Sequence, residues 1–442
     1  VGSNKSINGI KSAGKFRELE PDENNDWINK GDPKFRKYIT LGNKKDRSEI
    51  QLFSSYSSGV KSNRDAWVFN FSKQHLSQNM QKLINNYNTE IDKSSGNDSY
   101  QYNRNLREIK WDGTLLSDFK RKNKGEFSEE KIRKSIYRPF AKQYYYFCKQ
   151  FNNSVYRQSE IFYNQTTENK VIIVTGVGAK SGFSCQMTDQ IPCLDMVEKG
   201  QCFPLKIFEK QDFSEGLFAN QSDKNFNIRD GISDEGFLNF QRAYEGQSFD
   251  KEELFYYIYG LLHSIYYRDR FKNNLFKELP RIPIVKKFKE FKKFSQAGRR
   301  LGDLHVNYES VEPHPVTYKE GDERLFIIDD PKSFYRVEQM KFAGKRPNID
   351  KTTVVYNKNI TMQNIPIDAY EYVVNGKPAL EWVMERQCVK KETKSGIVND
   401  ANDYANETMN NPKYPLELFQ RVITVSLETM KIVRSLPKID ID

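Results

Sequence analysis

The sequence predicts an α+β protein, in which a β-rich part is followed by a helical element and a smaller mixed α/β C-terminal part. Three observations carry that expectation. Residues 105–210 divide into short apolar and aromatic runs of strand length, such as Val171-Ile-Ile-Val174. From Phe249 onward, Leu254, Ile258, Leu261, Leu262 and Ile265 repeat at helical spacing. Beyond a Pro/His-rich connector at 311–316, strand-like and helix-like segments share the remainder.

Taken in order, residues 1–48 are polar and rich in Asn, Asp and Lys, and read as a partly extended connector. Asp26-Trp-Ile28 and Phe35-Arg-Lys-Tyr-Ile39 are its aromatic anchors. Residues 49–248 form the expected β-rich domain. Ile50 and Leu52, then Trp67, Phe69 and Phe71, alternate as strands do around a turn at Ser-Ser-Gly59. Gln74 to Ile91 reads as a helix through Leu76, Met80, Leu83 and Ile84, ended by Ser-Ser-Gly96. Gln201–Phe208 is a further strand with Pro204 at an edge or bend, and 211–235 is a loop or insertion. Residues 249–310 are helical and basic, with twelve basic and three acidic residues between 268 and 300. Pro280 stops the first helical run. Residues 311–442 form the mixed subdomain, with strand candidates at Arg324–Ile328 and Thr353–Tyr356. Its helix candidates are Ile367–Val373, Leu380–Arg386 and Leu416–Arg434.

At 442 residues the chain is too long for one ordinary small domain. Hydrophobic residues make up only 37%, while 30 Phe and 25 Tyr lift the aromatic share to 13%, so the core must lean on rings. Seventy basic against 59 acidic residues give a charge of +11, which suits a polyanionic partner and equally a well-solvated surface. The five cysteines contain no Cys-x-x-Cys pair, and none of the four histidines stands at metal-ligand spacing from a cysteine. Neither a disulfide framework nor a zinc site is therefore expected. No apolar run reaches the ~18 residues of a membrane helix, and no signal peptide opens the chain, which points to the cytoplasm and away from a membrane. The Val-Gly-Ser start, without Met, is that expected of a piece of a longer protein.

Several strings that suggest catalysis fail on their own terms. Val174-Thr-Gly-Val-Gly-Ala-Lys-Ser-Gly182 is glycine-rich after a strand, but Ala179 replaces the glycine that a nucleotide loop needs before its lysine. A strand-ending turn is expected instead, with Lys180 and Ser181 as candidate phosphate contacts. Asn411-Pro-Lys-Tyr414 approaches the Asn-Pro-Pro-Tyr motif of amino-group DNA methyltransferases. Lys413 breaks the match, no glycine-rich cofactor site precedes it, and a helix-entry turn fits better. Asp329-Asp-Pro-Lys332 and Asn399-Asp-Ala-Asn-Asp403 lack the separated carboxylate–lysine spacing of a magnesium nuclease and read as turns. No catalytic residue and no metal ligand is assigned.

The most informative stretch is Ser135-Ile-Tyr-Arg-Pro-Phe-Ala-Lys-Gln-Tyr-Tyr-Tyr-Phe147, which follows the basic run Lys131-Ile-Arg-Lys134. Residue types leave two readings open, a buried aromatic strand or rings that stack on bases beside an arginine fork. Tyr137-Arg-Pro-Phe140 is joined by three further stretches. The first runs from Tyr257-Ile-Tyr-Gly-Leu-Leu-His-Ser264 through Tyr267-Arg-Asp-Arg-Phe271 to Leu279-Pro-Arg-Ile-Pro-Ile284. The second is Ala297-Gly-Arg-Arg-Leu-Gly-Asp-Leu-His305 with Asn307-Tyr-Glu309. The third is Tyr370-Glu-Tyr-Val-Val-Asn-Gly-Lys-Pro-Ala-Leu-Glu-Trp-Val-Met-Glu-Arg386, continued by Ser395-Gly-Ile-Val-Asn-Asp400.

Together these resemble the C-terminal specificity region of Type ISP restriction-modification enzymes, over roughly residues 20–437. Members of that family are single polypeptides with nuclease, helicase-like ATPase, coupler, adenine methyltransferase and target-recognition parts. The resemblance implies a non-catalytic target-recognition domain that binds double-stranded DNA in sequence-specific fashion. Residues 1–48 would lead out of the methyltransferase core, and the methyltransferase and coupler domains of the same polypeptide would be its partners. S-adenosylmethionine, ATP and Mg would serve the parent enzyme, with no cofactor in this region. The competing readings are a catalytic methyltransferase or nuclease fragment, or a structural adaptor.

Candidate DNA contacts are Tyr137, Arg138, Lys180, Ser181, the lysines Lys286, Lys287, Lys289, Lys292 and Lys293, and the pair Lys345 and Arg346 before Pro347. For Arg138 an internal carboxylate is an equal alternative. Tyr372 and Trp382 read as core.

Overall fold

A computed structural model describes residues 19–21, 25–46, 48–97, 99–210, 226–321 and 327–441. Residues 211–225 of the expected loop, and Arg324–Phe326 of one strand candidate, lie outside them. The architecture is α+β, as the sequence predicts.

Strands β1 (Ile39–Thr40) and β2 (Ser57–Ser58) are short, and β3 (Phe69–Asn70) follows one helical turn at Asp65–Val68. Two expectations are corrected here: Trp67 lies in that turn, and Ser57–Ser58 pairs as a strand instead of forming a bend. Alternation over so few residues does not separate a strand from a helical turn. Helix α1 (Lys73–Lys93) fits its apolar spacing, and Ser72 caps it by accepting the His75 amide at 3.1 Å. Helix α2 (Gly113–Lys120) falls inside a span read as strands. Its signal is local, since the Asp112 carboxylate accepts the Leu115 amide at 2.9 Å.

Next come β4 (Ile132–Arg138), β5 (Ala141–Tyr146), β6 (Val171–Val174), β7 (Cys185–Thr188), β8 (Ile191–Pro192) and β9 (Gln201–Pro204). They build two four-stranded sheets, ordered β2-β9-β6-β7 and β3-β5-β4-β8. Strands β10 (Lys206–Lys210) and β11 (Phe226–Asp230) pair as a hairpin, so the loop expected at 211–235 already ends as a strand at Phe226.

The first sheet explains the continuous apolar run of β6. Val171 and Ile173 face one hydrophobic core, together with Tyr145, Ile136 and the helix α1 residues. Ile172 and Val174 face a second core, with Phe203 and Met187. A strand with cores on both sides loses the polar alternation of a surface strand.

Helix α3 (Asp234–Ala243) and helix α4 (Lys251–His263) belong to the second core. Asp250 and Glu253 form a reciprocal capping box at the start of α4, and every residue from Leu254 to His263 is buried. The helical spacing predicts continuation through Ile265, but α4 ends at Ser264, which adopts an extended conformation and caps the next short helix. Ile265 is left 44% exposed. Strand β12 (Arg281–Ile282) pairs antiparallel with β1, tying the N-terminal segment to this region.

Helix α5 (Phe288–Val306) crosses α4 at two glycines. A Cβ on Gly298 would stand 1.9 Å from the Tyr256 carbonyl oxygen, and one on Gly260 would stand 2.2 Å from that of Phe294. The glycines of Tyr-Gly260 and Ala-Gly298 thus allow backbone-to-backbone contact.

In the C-terminal part, β13 (Thr317–Tyr318), β14 (Lys341–Lys345), β15 (Asn348–Val355) and β16 (Thr361–Gln363) form a sheet ordered β13-β16-β15-β14. The helix expected at Ile367–Val373 is a 3-10 turn at Ile367–Tyr370, followed by β17 (Val373–Val374) and β18 (Lys377–Pro378). Asn375 and Gly376, both at positive φ, make the hairpin turn that stops a helix there. Helix α6 (Ala379–Arg386), the hairpin β19 (Val389–Lys391) with β20 (Val398–Asp400), and helix α7 (Tyr414–Ser435) complete the chain. Tyr372 and Trp382 are buried, the latter donating its indole N–H to the Val374 carbonyl at 2.8 Å.

Candidate nucleic-acid interface

Tyr137 and Arg138 end β4, where Pro139 and a positive-φ Phe140 turn the chain into β5. Arg138 faces inward, its side chain 14% exposed. Its guanidinium donates to the Tyr137 carbonyl at 2.7 Å and to Cys193 Sγ at 3.2 Å, stands 3.8 Å from Asp65, and lies 4.0 Å over the Tyr137 ring. Tyr137 donates its hydroxyl to the same Asp65 at 2.9 Å, and burial pushes that phenol up. Arg138 thus stands near an internal carboxylate, with its hydrogen bonds going to the Tyr137 carbonyl and Cys193. Tyr145 and Tyr146 are fully buried, Tyr145 stacking on Phe69, so most of the aromatic stretch is core.

The glycine-rich turn after β6 has its amides already engaged. Gly176 N–H donates to the Glu198 carbonyl at 3.0 Å, Gly178 N–H to the Phe276 carbonyl at 2.9 Å, and Ala179 N–H to the Gly176 carbonyl at 3.2 Å. Ser181 N–H donates to the Glu198 carboxylate at 2.9 Å and holds that group below its usual range. A phosphate cradle needs convergent free N–H groups, and this turn offers none among these. The Ser181 hydroxyl is 2.9 Å from Asn375 Oδ1, while the Lys180 side chain is exposed.

The remaining strings settle in the same way. Tyr414 is buried at the start of α7, with its hydroxyl donating to Glu309 at 2.6 Å, so its ring cannot stack on a base. Asp330 and Asp400 cap short helices. Among the described residues no group of three or more His, Cys, Asp or Glu side chains is placed to hold a metal ion. No helix among them is long and apolar enough to cross a membrane.

The lysine run straddles the N-terminus of α5, and its members separate by environment. Lys292 is half-buried, bonded to Glu253 at 2.5 Å and 5.3 Å over the Phe288 ring. Lys286 is exposed and paired with Asp440 at 3.1 Å. Lys287, Lys289 and Lys293 extend into solvent. Lys345 and Arg346 occupy the exposed tip of the β14–β15 hairpin.

One basic surface escaped the sequence reading. Among the described residues, an open trough of about 810 Å³ is lined by Arg36, Lys44, Lys45, Lys199, Lys277 and Arg281, together with the acids Asp26 and Glu278. Lys277 and Arg281 are bonded to Asp26 and Glu49, whereas Lys44 lies 4.5 Å over the Tyr56 ring. Burial, with Arg157 nearby, holds the Lys44 ammonium below its ordinary value. Lys44-Lys45 was the available signal, but only folding brings Lys199 and Lys277 beside it.

The described residues thus form a mixed α+β module that carries exposed cations. Its residues 51–418 match the model of the Type ISP C-terminal specificity domain, and the chain belongs to that family. Among solved structures it is similar to the ATP-dependent Type ISP restriction-modification enzyme LlaBIII bound to DNA, at 31% identity and a TM-score of 0.84. That match covers 100% of this chain and 27% of the other. A nuclease-deletion mutant of the Type ISP enzyme LlaGI, in complex with a DNA substrate mimic, matches at 33% identity and a TM-score of 0.80, over 97% of this chain and 31% of that one. The DrdV–DNA complex matches at 26% identity and a TM-score of 0.78, over 97% and 41%. The chain thus spans under a third of the LlaGI and LlaBIII chains. A search of curated protein sequences finds no match.

Proposed function

We propose that this chain binds double-stranded DNA and reads a short site as the target-recognition part of a restriction-modification enzyme. The end-to-end likeness to LlaBIII bound to DNA carries the reading. The N-terminal segment would lead from an adenine methyltransferase core, with coupler, helicase-like ATPase and nuclease parts in the same cytoplasmic polypeptide. S-adenosylmethionine, ATP and Mg belong to those parts in this reading. Lys287, Lys289 and Lys293, with Lys180 and the trough lysine Lys45, are the phosphate contacts, because all are exposed cations, and Lys44 lies beside Lys45 over the Tyr56 ring. Tyr137 and Arg138 instead hold Asp65 and the β4–β5 turn in place.

The test is binding of a labelled duplex across a salt series. Affinity should fall steeply with salt as counterions are released. Exchanging Lys287, Lys289 and Lys293 for glutamine should weaken binding on every sequence and lower the log–log salt slope by about 3. Absence of DNA binding, or affinity indifferent to salt, contradicts the reading. A methylation map of DNA from cells carrying the full-length enzyme would supply the target and test for N6-methyladenine.

A further inference from the structure

We propose that the hairpin Lys341–Val355 is a base-reading ribbon, whose tip enters the major groove of the target duplex and contacts base edges through Arg346 and Asn348. The proposal rests on the DNA-binding reading above and assigns it a specificity element.

The register of the sheet separates this hairpin into an anchored base and a projecting tip. β15 pairs with its inner neighbour β16 only at Val354 and Val355, while its ladder with β14 begins six residues earlier, at Asn348. The tip ladder joins Ala343, Gly344 and Lys345 to Asp350, Ile349 and Asn348. The base ladder joins Lys341 and Phe342 to Val355 and Val354, so Lys351, Thr352 and Thr353 bulge out between the two. The bulge is fastened to the body of the domain. Lys351 pairs with Glu381 at 2.9 Å and lies 5.6 and 5.3 Å over the Phe342 and Tyr370 rings, and its carbonyl accepts the Tyr370 hydroxyl at 2.8 Å. Thr352 donates amide and hydroxyl to Asp350, at 2.8 and 2.6 Å, which occupies the acid nearest the tip.

Beyond that clamp every residue from Gly344 to Asp350 is exposed. Lys345 and Arg346 give the tip its positive charge, and Asn348 adds an amide two residues on. A two-stranded ribbon fits the major groove of B-form DNA, where arginine pairs with the guanine O6/N7 edge and asparagine with the adenine N6/N7 edge. A mobile lysine-rich loop would give charge without the fixed geometry that bidentate pairing requires.

The test selects binding sequences from a randomised duplex pool, using the whole chain as wild type, Arg346→Ala and Asn348→Ala. Thermal unfolding serves as the folding control, since both side chains are exposed. Each variant should lose preference at one or two base positions by about 5- to 150-fold and keep the rest of the motif. Lysine-to-glutamine exchanges at 287, 289 and 293 should instead weaken all sequences alike. If both variants enrich the wild-type motif, or if the wild type binds without selecting, the ribbon proposal is overturned and DNA binding stands. If the wild type retains no duplex at all, both readings fall.

Discussion

Adding one methyl group at Gly298 should destabilise this domain measurably. The Gly298→Ala Cβ would sit 1.9 Å from the Tyr256 carbonyl oxygen and 2.7 Å from the Gly260 amide nitrogen, both backbone atoms of α4. Ordinary contact starts at 3.4 Å, so the helices must part by about 1.5 Å at their crossing. No side-chain rotation relieves a backbone clash. Helix α4 is buried on all sides, so the shift opens contacts along its whole length. Overpacking costs about 1–3 kcal/mol in tolerant cores and more where backbone must move, which puts this site near 4 kcal/mol. Alanine's better helix propensity returns about 1 kcal/mol, leaving roughly 3 kcal/mol of net loss. With an unfolding entropy of about 2 cal/mol/K per residue, that lowers Tm by about 3 °C if the chain unfolds as one unit. Scanning calorimetry of Gly298→Ala against Gly113→Ala measures it. Gly113 opens α2 with nothing within 4 Å of its Cβ position, so alanine there should leave Tm unchanged or raise it slightly. A Gly298→Ala protein as stable as Gly113→Ala would refute the close helix crossing.

Three other outcomes follow from the same geometry. Burial and the Arg268 charge push His305 down to about 3, and burial pushes His263 well below its usual range. Unfolded histidines titrate near 6.5, so the unfolded chain takes up protons first, and the stability contribution of His305, complete above ~6.5, declines by about 1.4 kcal/mol per pH unit as pH falls toward 3, with His263 acting in the same direction. Tm measured between pH 8 and pH 5 should drop, and a flat profile contradicts the burial of this pair. Burial pushes the Cys185 and Cys202 thiols up to about 12 and Cys193 up to about 11, while Cys148 and Cys388 are half-buried. A chromogenic thiol reagent should therefore modify at most two cysteines in the folded protein and five in denaturant; rapid reaction of a third thiol would count against the core assignment. Arg138→Ala should cost about 2 kcal/mol, less than the roughly 3–5 kcal/mol of fully buried pairs because Asp65 is partly exposed. Unchanged Tm with weakened DNA binding would instead make Arg138 a direct contact.

The sequence by itself determined the fold class, the helices α1, α4, α6 and α7 and the strand β6, because each carries an uninterrupted apolar period or run. It also carried the family resemblance, since the stretches around Gly260, Gly298 and Tyr370–Arg386 contain residues that the packing constrains. The helix crossing allows only glycine at Gly260 and Gly298, and Trp382 needs the Val374 carbonyl. Short elements were illegible for the opposite reason. Two turns of α2, one turn at Asp65–Val68 and the β17–β18 hairpin are too brief to show a period, and tertiary contacts decide them. The cations show the same division most clearly. Five neighbouring lysines read alike in sequence, yet Lys292 is tied to Glu253 over a ring, Lys286 is paired with Asp440, and three reach solvent. Charge is a property of residue type, but its availability depends on which carboxylates and rings the fold brings within a few ångströms. That is why Lys44 and Lys199 share a trough that no linear pattern marks.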